Sequence, residues 1–177
     1  MCIRPTLSGD VVLLPAIERS AAQAFRSLPR LAWLADSEVM DPATHQAFIS
    51  EGCSWVAVDA QDRPVGFLCA TVTDTALHIQ ELSVAQDAQG QGLGRRLLDQ
   101  ARQAAQQHGL RWLTLTTFAD VPWNAPFYER YGFERLAAGQ LDDRLLAIIA
   151  SEQAHGLTER CAMRLPIAPF RSAPAPA

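Results

Sequence analysis

Two periodicities alternate along the chain and divide it into short strands and amphipathic helices. Runs of apolar and β-branched residues, several with period two, predict strands at residues 2–5, 55–59, 64–73, 77–84, 113–117, 133–136 and 161–165. Helical spacing of apolar residues predicts helices at 14–28, 42–50, 92–108, 124–132 and 142–154. This order predicts an α/β (α+β) fold, with a single mixed, mostly antiparallel central sheet of about seven strands and helices on both faces.

The helix at 92–108 has the clearest pattern. Its apolar residues share one face, and Gly109 follows where a left-handed C-cap is expected. In contrast, the stretch from Leu31 to Asp41 mixes apolar and acidic residues and is expected to form a lid or an irregular connection.

Length and composition suit one domain. A chain of 177 residues that is 49% hydrophobic can bury a full core, so we expect residues 1–166 to form one domain. We expect the Pro/Ala-rich tail, residues 167–177, to be disordered. The formal charge of −4 and a sequence pI near 5.5 argue against a nucleic-acid partner, which requires a basic face.

The four cysteines are scattered, without a C-x-x-C pair, so the sequence predicts neither a zinc site nor a disulfide framework. The N-terminus lacks the apolar run of a signal peptide, and no stretch approaches the about 18 apolar residues of a membrane helix. We therefore expect a cytoplasmic protein without a membrane partner.

A glycine-rich loop joins the strand at 77–84 to the helix at 92–108. Glycine at positions 90, 92 and 94 allows positive φ and brings backbone N–H groups close to an anion, at which the helix N-terminus also points. The spacing differs from the dinucleotide fingerprint G-x-G-x-x-G, and a P-loop needs a lysine, which the chain lacks. On its own, such a loop could also be a tight turn without a ligand.

Glu81 is a candidate general base. It lies at period-two spacing from Leu77 and Ile79, so we expect it on their apolar face. Desolvation there would raise its pKa and suit it to take a proton from an ammonium group. The alternative is a Glu at the strand end that faces solvent or holds an Arg.

Tyr128 is a candidate general acid. In the helix at 124–132, with Asn124 as N-cap and Gly132 as terminator, Phe127 and Tyr131 are expected to form the core-facing stripe. Tyr128 is offset from that stripe and could give a proton to a departing thiolate. The alternative is a half-buried tyrosine that only packs.

Three features in chain order resemble the motifs of the GNAT superfamily of acetyl-CoA-dependent N-acetyltransferases. They are Glu81-Leu82-Ser83-Val84, Gln89-x-x-Gly92-x-Gly94, and Asn124-x-x-x-Tyr128-x-x-x-Gly132-Phe133. The resemblance implies the GNAT fold, acetyl-CoA as acyl donor, no metal, and direct attack by an amine within a ternary complex. It implies Glu81 as base and Tyr128 as acid. The CoA-binding residues that it implies are Leu82, Ser83, Val84, Gln89, Gly90, Gln91, Gly92, Leu93, Gly94, Arg95, Asn124 and Phe127.

The acceptor is predicted less directly. Trp33, Asp120 and Trp123 combine aromatic and acidic groups in connecting segments, which favours a small cationic amine as substrate. These could equally be ordinary solvated loop residues. Acetylation of protein N-termini or lysines, and a non-catalytic acyl-CoA sensor, remain alternatives. The extension after Phe133 could shape the acceptor pocket or form a homodimer contact.

Overall fold

The computed structural model describes residues 1–168. Within this part of the chain the strands are β1 (Cys2–Pro5), β2 (Ser54–Val58), β3 (Pro64–Val72), β4 (Ala76–Val84), β5 (Trp112–Phe118), β6 (Glu134–Arg135) and β7 (Arg160–Pro166). They form one seven-stranded sheet in the order β1-β2-β3-β4-β5-β7-β6. Strands β4 and β5 run parallel, whereas β1–β2, β2–β3, β5–β7 and β6–β7 are antiparallel. The predicted mixed, mostly antiparallel sheet is confirmed.

The α-helices are α1 (Leu14–Ala22), α2 (Pro42–Ser50), α3 (Leu93–Gln107), α4 (Ala125–Tyr131) and α5 (Asp143–Ala154). The first ends at Ala22 rather than at the predicted Leu28, and the chain continues as 3-10 turns at Gln23–Ser27 and Pro29–Asp36. Leu28 between them is extended, with φ −115° and ψ 100°. Pro29 explains this break, because a proline disfavours the helical conformation of the residue before it.

The chain divides into two compact units. The first contains Met1–Val72 and Ile79–Ala104. Its core is formed where α1 packs against the sheet, and its fully or largely buried members are Leu14, Ile17, Val56, Val58, Phe67 and Cys69. Helix α2 begins at Asp41, whose carboxylate accepts the N–H of Thr44 at 2.7 Å, and Pro42 occupies the first turn.

The second unit contains Thr73–His78 and the chain from Ala105 onward. Strand β5 pairs with β7 along its whole length, and α5 packs against both strands. A bidentate pair between Arg160 and Glu152, with N–O distances of 2.7 and 2.9 Å, ties α5 to β7. Gly109 has φ +66°, so the expected left-handed residue after α3 is confirmed.

The predicted tail falls mostly outside the described residues. Ile167 lies inside them, is buried, and donates its N–H to the carbonyl of Arg111 at 2.9 Å. Residues 169–177 lie outside the described range, so the expected disorder of the tail stays a prediction. In residues 1–168, no helix is both long and apolar enough to span a bilayer.

Candidate active site

The second half of β4 carries the candidate base. Glu81 is half-buried, and the Ser83 hydroxyl donates to its Oε1 atom at 2.7 Å. These two residues share one face of the strand, because they are two positions apart. The preceding strand position, Gln80, is exposed and donates to the Thr71 hydroxyl.

A second carboxylate lies near Glu81. Glu18, on α1, is half-buried, and its Oε2 atom accepts the N–H of Met40 at 3.1 Å. Burial, followed by the negative charge of Glu81, raises the pKa of Glu18 to about 7. Glu18 was not among the site residues predicted from the sequence. The sequence shows that it follows the apolar Ile17, but it does not show which strand α1 packs against.

Cys69 on β3 lies near both Glu81 and Glu18. Its side chain is fully buried, lies at the backbone of Glu81, and belongs to the core that α1 covers. Burial raises the pKa of the Cys69 thiol, and the charges of Glu81 and Glu18 raise it further. Cys69 therefore stays a neutral thiol beside two carboxyl groups.

The loop after β4 has the backbone geometry expected of an anion cradle. Gly90 and Gly92 both have φ +75°, and a Cβ at either position would meet no other heavy atom within 4 Å. Glycine is thus required there by conformation and not by crowding. Gly94 differs from the expectation: it lies in the first turn of α3 and is not among the glycines with positive φ, because the helix has already begun.

Helix α3 begins where this loop ends. The N–H of Arg96 donates to the carbonyl of Gly92, at 3.1 Å. The first N–H groups of a helix have no carbonyl acceptor within it, so those of Leu93 and Gly94 lie at the end of the helix that suits an anion. Arg96 also donates from its side chain to the Met1 carbonyl at 2.9 Å.

Side chains of the first unit hold the start of the loop in place. The Gln89 amide donates to the Val84 carbonyl at 3.0 Å, so it bridges the loop back to the strand end. The N–H of Gln86 donates to the Ser20 hydroxyl on α1, also at 3.0 Å. Gln89 thereby shapes the cradle through its side chain, whereas Gly90, Gln91 and Gly92 are exposed.

In the second unit, α4 begins at Asn124 as predicted, but without the predicted side-chain cap. The Asn124 carbonyl accepts the N–H groups of Phe127 and Tyr128, at 2.8 and 3.2 Å, and its side chain makes no capping bond. Gly132 ends the helix with φ +120°.

The aromatic residues of α4 do not divide into a core-facing pair and an offset Tyr128, as the sequence predicts. Phe127, Tyr128 and Tyr131 are all half-buried, and the buried residue of the helix is Ala125. The Tyr128 ring contacts those of Phe127 and Phe133, with centroids 5.1 and 5.6 Å away. Burial therefore does not distinguish Tyr128 from the other two aromatic residues.

The candidate acceptor residues are exposed. Trp33 in the first unit is 45% exposed, Trp123 in the second unit is 38% exposed, and Asp120 is also exposed. Within the expected acidic connection, Asp36 pairs with Arg26 at 2.6 Å and Asp41 caps α2. In residues 1–168, no group of three or more His, Cys, Asp or Glu side chains is arranged to hold a metal ion.

Residues 50–135 match the family model of the acetyltransferase (GNAT) domain. This range contains Glu81, the whole glycine loop and α4. The match spans slightly less than half of the 177-residue chain.

The chain is also similar to a curated N-acetyltransferase over part of its length. The chain is 32% identical over 96 residues to the peptidyl-lysine N-acetyltransferase YjaB of Salmonella typhimurium, a match that covers 54% of this chain and 60% of that protein. The chain thus matches less than two thirds of the length of this curated relative.

Two solved structures share the GNAT fold over almost the full chain. Rv2747 of Mycobacterium tuberculosis, solved in complex with CoA, aligns with a TM-score of 0.72 and 16% identity over 95% of this chain and 100% of that one. The ribosomal-protein-S18-alanine N-acetyltransferase of Escherichia coli aligns with a TM-score of 0.66 and 17% identity over 99% of this chain and 98% of that one. The predicted GNAT fold is confirmed.

Proposed function

We propose that the protein is an acetyl-CoA-dependent N-acetyltransferase that acetylates a primary amine. The observation that carries this proposal is the half-buried Glu81 carboxylate, held by Ser83, on the strand that leads into a loop with positive φ at Gly90 and Gly92. The match of residues 50–135 to the acetyltransferase (GNAT) domain model and the N-acetyltransferase names of similar proteins support it.

Acetyl-CoA fits the backbone of this loop as a substrate. Left-handed glycines and the N-terminus of α3 suit a pyrophosphate group. In this proposal the loop from Gln89 to Arg95 holds the pyrophosphate. The backbone of Leu82, Ser83 and Val84, with Asn124 and Phe127, holds the pantetheine arm. The CoA complex of the similar Rv2747 structure supports this assignment for the donor.

The proposed reaction is direct acetyl transfer. Glu81 takes a proton from the acceptor ammonium, and the neutral nitrogen attacks the thioester carbonyl carbon. A C–N bond forms as the C–S bond breaks, and the leaving thiolate receives a proton from the Tyr128 hydroxyl. The acylated nitrogen loses its remaining extra proton, which returns through solvent to the Tyr128 oxygen and leaves a neutral amide. Cys69 is unsuited to carry the acetyl group, because burial raises the pKa of its thiol.

Two acceptor classes are proposed. The first is a small cationic amine, which Trp33, Asp120 and Trp123 would receive through charge and aromatic contacts. The second is a lysine side chain of a protein, which the names of the YjaB relatives favour. Both present an ammonium group that a carboxylate attracts. The expected cytoplasmic location stays a prediction.

The test is turnover across a panel of small amines, amino acids and lysine peptides, followed by mass spectrometry of the acceptors. Because the sequence contains no lysine, every acetyl-lysine detected comes from an added acceptor. Cys2 is exposed and would react with thiol reagents, so released CoA is measured in a Cys2→Ser background.

Glu81→Gln should lower kcat by about a hundredfold to ten-thousandfold and leave the Kd for CoA unchanged. Glu51→Gln, at an exposed Glu after α2, is the matched control and should behave as the parent protein. Unchanged kcat in Glu81→Gln would exclude the base role. CoA binding without acetylation of any acceptor would favour a sensor.

A further inference from the structure

Strand β3 contains one extra residue near its start. Against β2, Ala57 pairs with Gly66, whereas the next residue, Val58, pairs with Pro64, so Val65 is the inserted residue of a β-bulge. A bulge bends its strand and changes the direction of the residues beside it. This bulge therefore alters the course of β3 where that strand borders the end of β4.

The backbone of Val65 holds the end of β4. Its carbonyl accepts the N–H of Ala85, the first residue after the strand, at 2.9 Å. Ala85 has φ −52° and ψ 141°, so the chain is still extended at this residue. The bulge is thus bonded to the junction between β4 and the segment that leads to the glycine loop.

Gly66, the residue after the bulge, lets the two strands approach closely. A Cβ at this position would lie 3.1 Å from the Ser83 carbonyl oxygen, 3.1 Å from the Val84 Cγ2 atom and 3.4 Å from the Val84 Cα atom. Gly66 is buried and is not among the glycines with positive φ. Glycine is therefore required here by crowding and not by conformation, the reverse of Gly90 and Gly92.

The residues that approach Gly66 belong to the proposed reaction. The Ser83 hydroxyl donates to the proposed base, Glu81, and the backbone of Ser83 and Val84 is proposed to hold the pantetheine arm. A Cβ at Gly66 would force its neighbours to move by a few tenths of an ångström. Such displacements matter for catalysis, since a misplacement of about 1 Å can cost about a hundredfold in rate.

We propose that Gly66, together with the bulge at Val65, positions the end of β4 for the pantetheine arm and the thioester of acetyl-CoA. Gly66 acts through the backbone of Ser83 and Val84 and is a positioning residue, not a catalytic one. This inference rests on the proposed N-acetyltransferase function. The three atoms nearest to a Cβ at Gly66 belong to β4 and not to the glycine loop, so a change at Gly66 should affect the arm and spare the diphosphate.

The test compares the binding of two ligands to Gly66→Ala by calorimetry. One is CoA, and the other is 3′-phospho-ADP, the part of CoA that keeps the diphosphate and lacks the pantetheine arm. The Kd for CoA should rise by about tenfold or more, whereas the Kd for 3′-phospho-ADP should stay within about twofold of the wild-type value. The kcat for acetyl transfer should fall by about tenfold or more.

Val56→Ala is the matched control. Val56 is fully buried on β2 and pairs with Phe67, the residue next to Gly66. Its truncation should lower the stability of the same unit and leave both Kd values unchanged, because it adds nothing between β3 and β4. The comparison thus separates a loss of position from a loss of stability.

Ala85→Pro tests the bulge separately and replaces Gly66→Ala if that variant does not fold. A φ of −52° suits proline, which removes the N–H that the Val65 carbonyl accepts. This variant should also lose affinity for CoA and keep its affinity for 3′-phospho-ADP.

An unchanged Kd for CoA, or an equal loss of affinity for both ligands, would overturn the positioning role. If the parent protein acetylates an acceptor, either result overturns that role alone. Selective loss of CoA affinity, in a protein that acetylates no acceptor, would overturn the proposed function and support the role of Gly66 in placing the arm.

Discussion

The Ser83 hydroxyl donates a hydrogen bond of 2.7 Å to the Glu81 carboxylate from two positions along the same strand. A hydrogen bond to a carboxylate favours its ionised form. Ser83 therefore opposes Glu18, since one neighbour stabilises the negative charge of Glu81 and the other repels it. Both neighbours therefore affect the proton affinity of the proposed base.

Ser83→Ala removes the stabilising contact. The ionised form of Glu81 becomes less favourable, so the acidic limb of the kcat/KM profile should move to higher pH, by about one unit. Ser27→Ala is the control, because the Ser27 hydroxyl is exposed and donates only to the nearby Ala24 carbonyl. An unmoved limb in Ser83→Ala would show that the hydroxyl does not act on the base.

Gly92→Ala should weaken CoA binding by about tenfold or more, equivalent to about 1.4 kcal/mol. The added methyl meets no protein atom within 4 Å, but it imposes strain at φ +75° and occupies space in the proposed anion cradle. Gly109→Ala is matched in conformation, with φ +66° and equally open surroundings. The Gly109→Ala variant should lose similar stability to Gly92→Ala and keep the wild-type Kd for CoA, as measured by calorimetry. Equal Kd values for both variants would argue against the cradle.

Tyr128→Phe removes one hydroxyl and keeps the ring contacts with Phe127 and Phe133. If Tyr128 protonates the thiolate, kcat should fall by about a hundredfold or more, while CoA affinity stays the same. Tyr131→Phe is the control, since Tyr131 lies on the same helix, is also half-buried and contacts the same Phe133 ring. Equal kcat values for the two variants would exclude Tyr128 as the acid.

His78 should make the fold sensitive to acid. Its ring is 2% exposed and contacts the Thr114 hydroxyl at 3.0 Å, and burial, followed by the charge of Arg144, lowers its pKa from 6.5 to about 4. Because the unfolded chain binds the proton more readily, stability is complete above pH 6.5 and is lost as pH falls towards 4, by up to about 3 kcal/mol.

His78→Gln should reduce that slope in urea unfolding measured between about pH 4 and 7.5, whereas the exposed control His108→Gln should not. A slope in His78→Gln as steep as that of the wild type would assign the acid sensitivity to other groups.

Glu18 should have the opposite effect on stability. Its pKa rises in the folded state from 4.5 to about 7, so the folded chain holds the proton more tightly and stability falls as pH rises through this interval. Glu18→Gln should therefore match the wild type near pH 5 and be the more stable protein at about pH 8. Glu51→Gln again serves as control. A Glu18→Gln variant that gains nothing at the higher pH would mean that Glu18 carries no such penalty.

Much of the fold was predictable because its determinants are local. The run of Leu and Ala residues between 92 and 108 and the glycine at 109 suffice to define α3 and its end. The extended conformation of Leu28 was also predictable, since Pro29 constrains it, but the helical spacing of apolar residues up to Leu28 concealed it.

The candidate site was predicted only in part, because some of its features depend on tertiary structure. Glu81 follows from the period of its own strand. Glu18 does not, since its role depends on which strand α1 covers. Gly92 has a positive φ, whereas Gly94 lies inside the helix and does not. The spacing of glycines in the motif does not show at which residue the loop ends and the helix begins.

Helix α1 contacts the start of the loop and lies near the proposed base. Ser20 accepts the N–H of Gln86 at the start of the loop, and Glu18, two residues earlier, is close enough to Glu81 for their charges to interact. A shift of α1 along the sheet would therefore change the support of the loop and the electrostatic surroundings of Glu81 together.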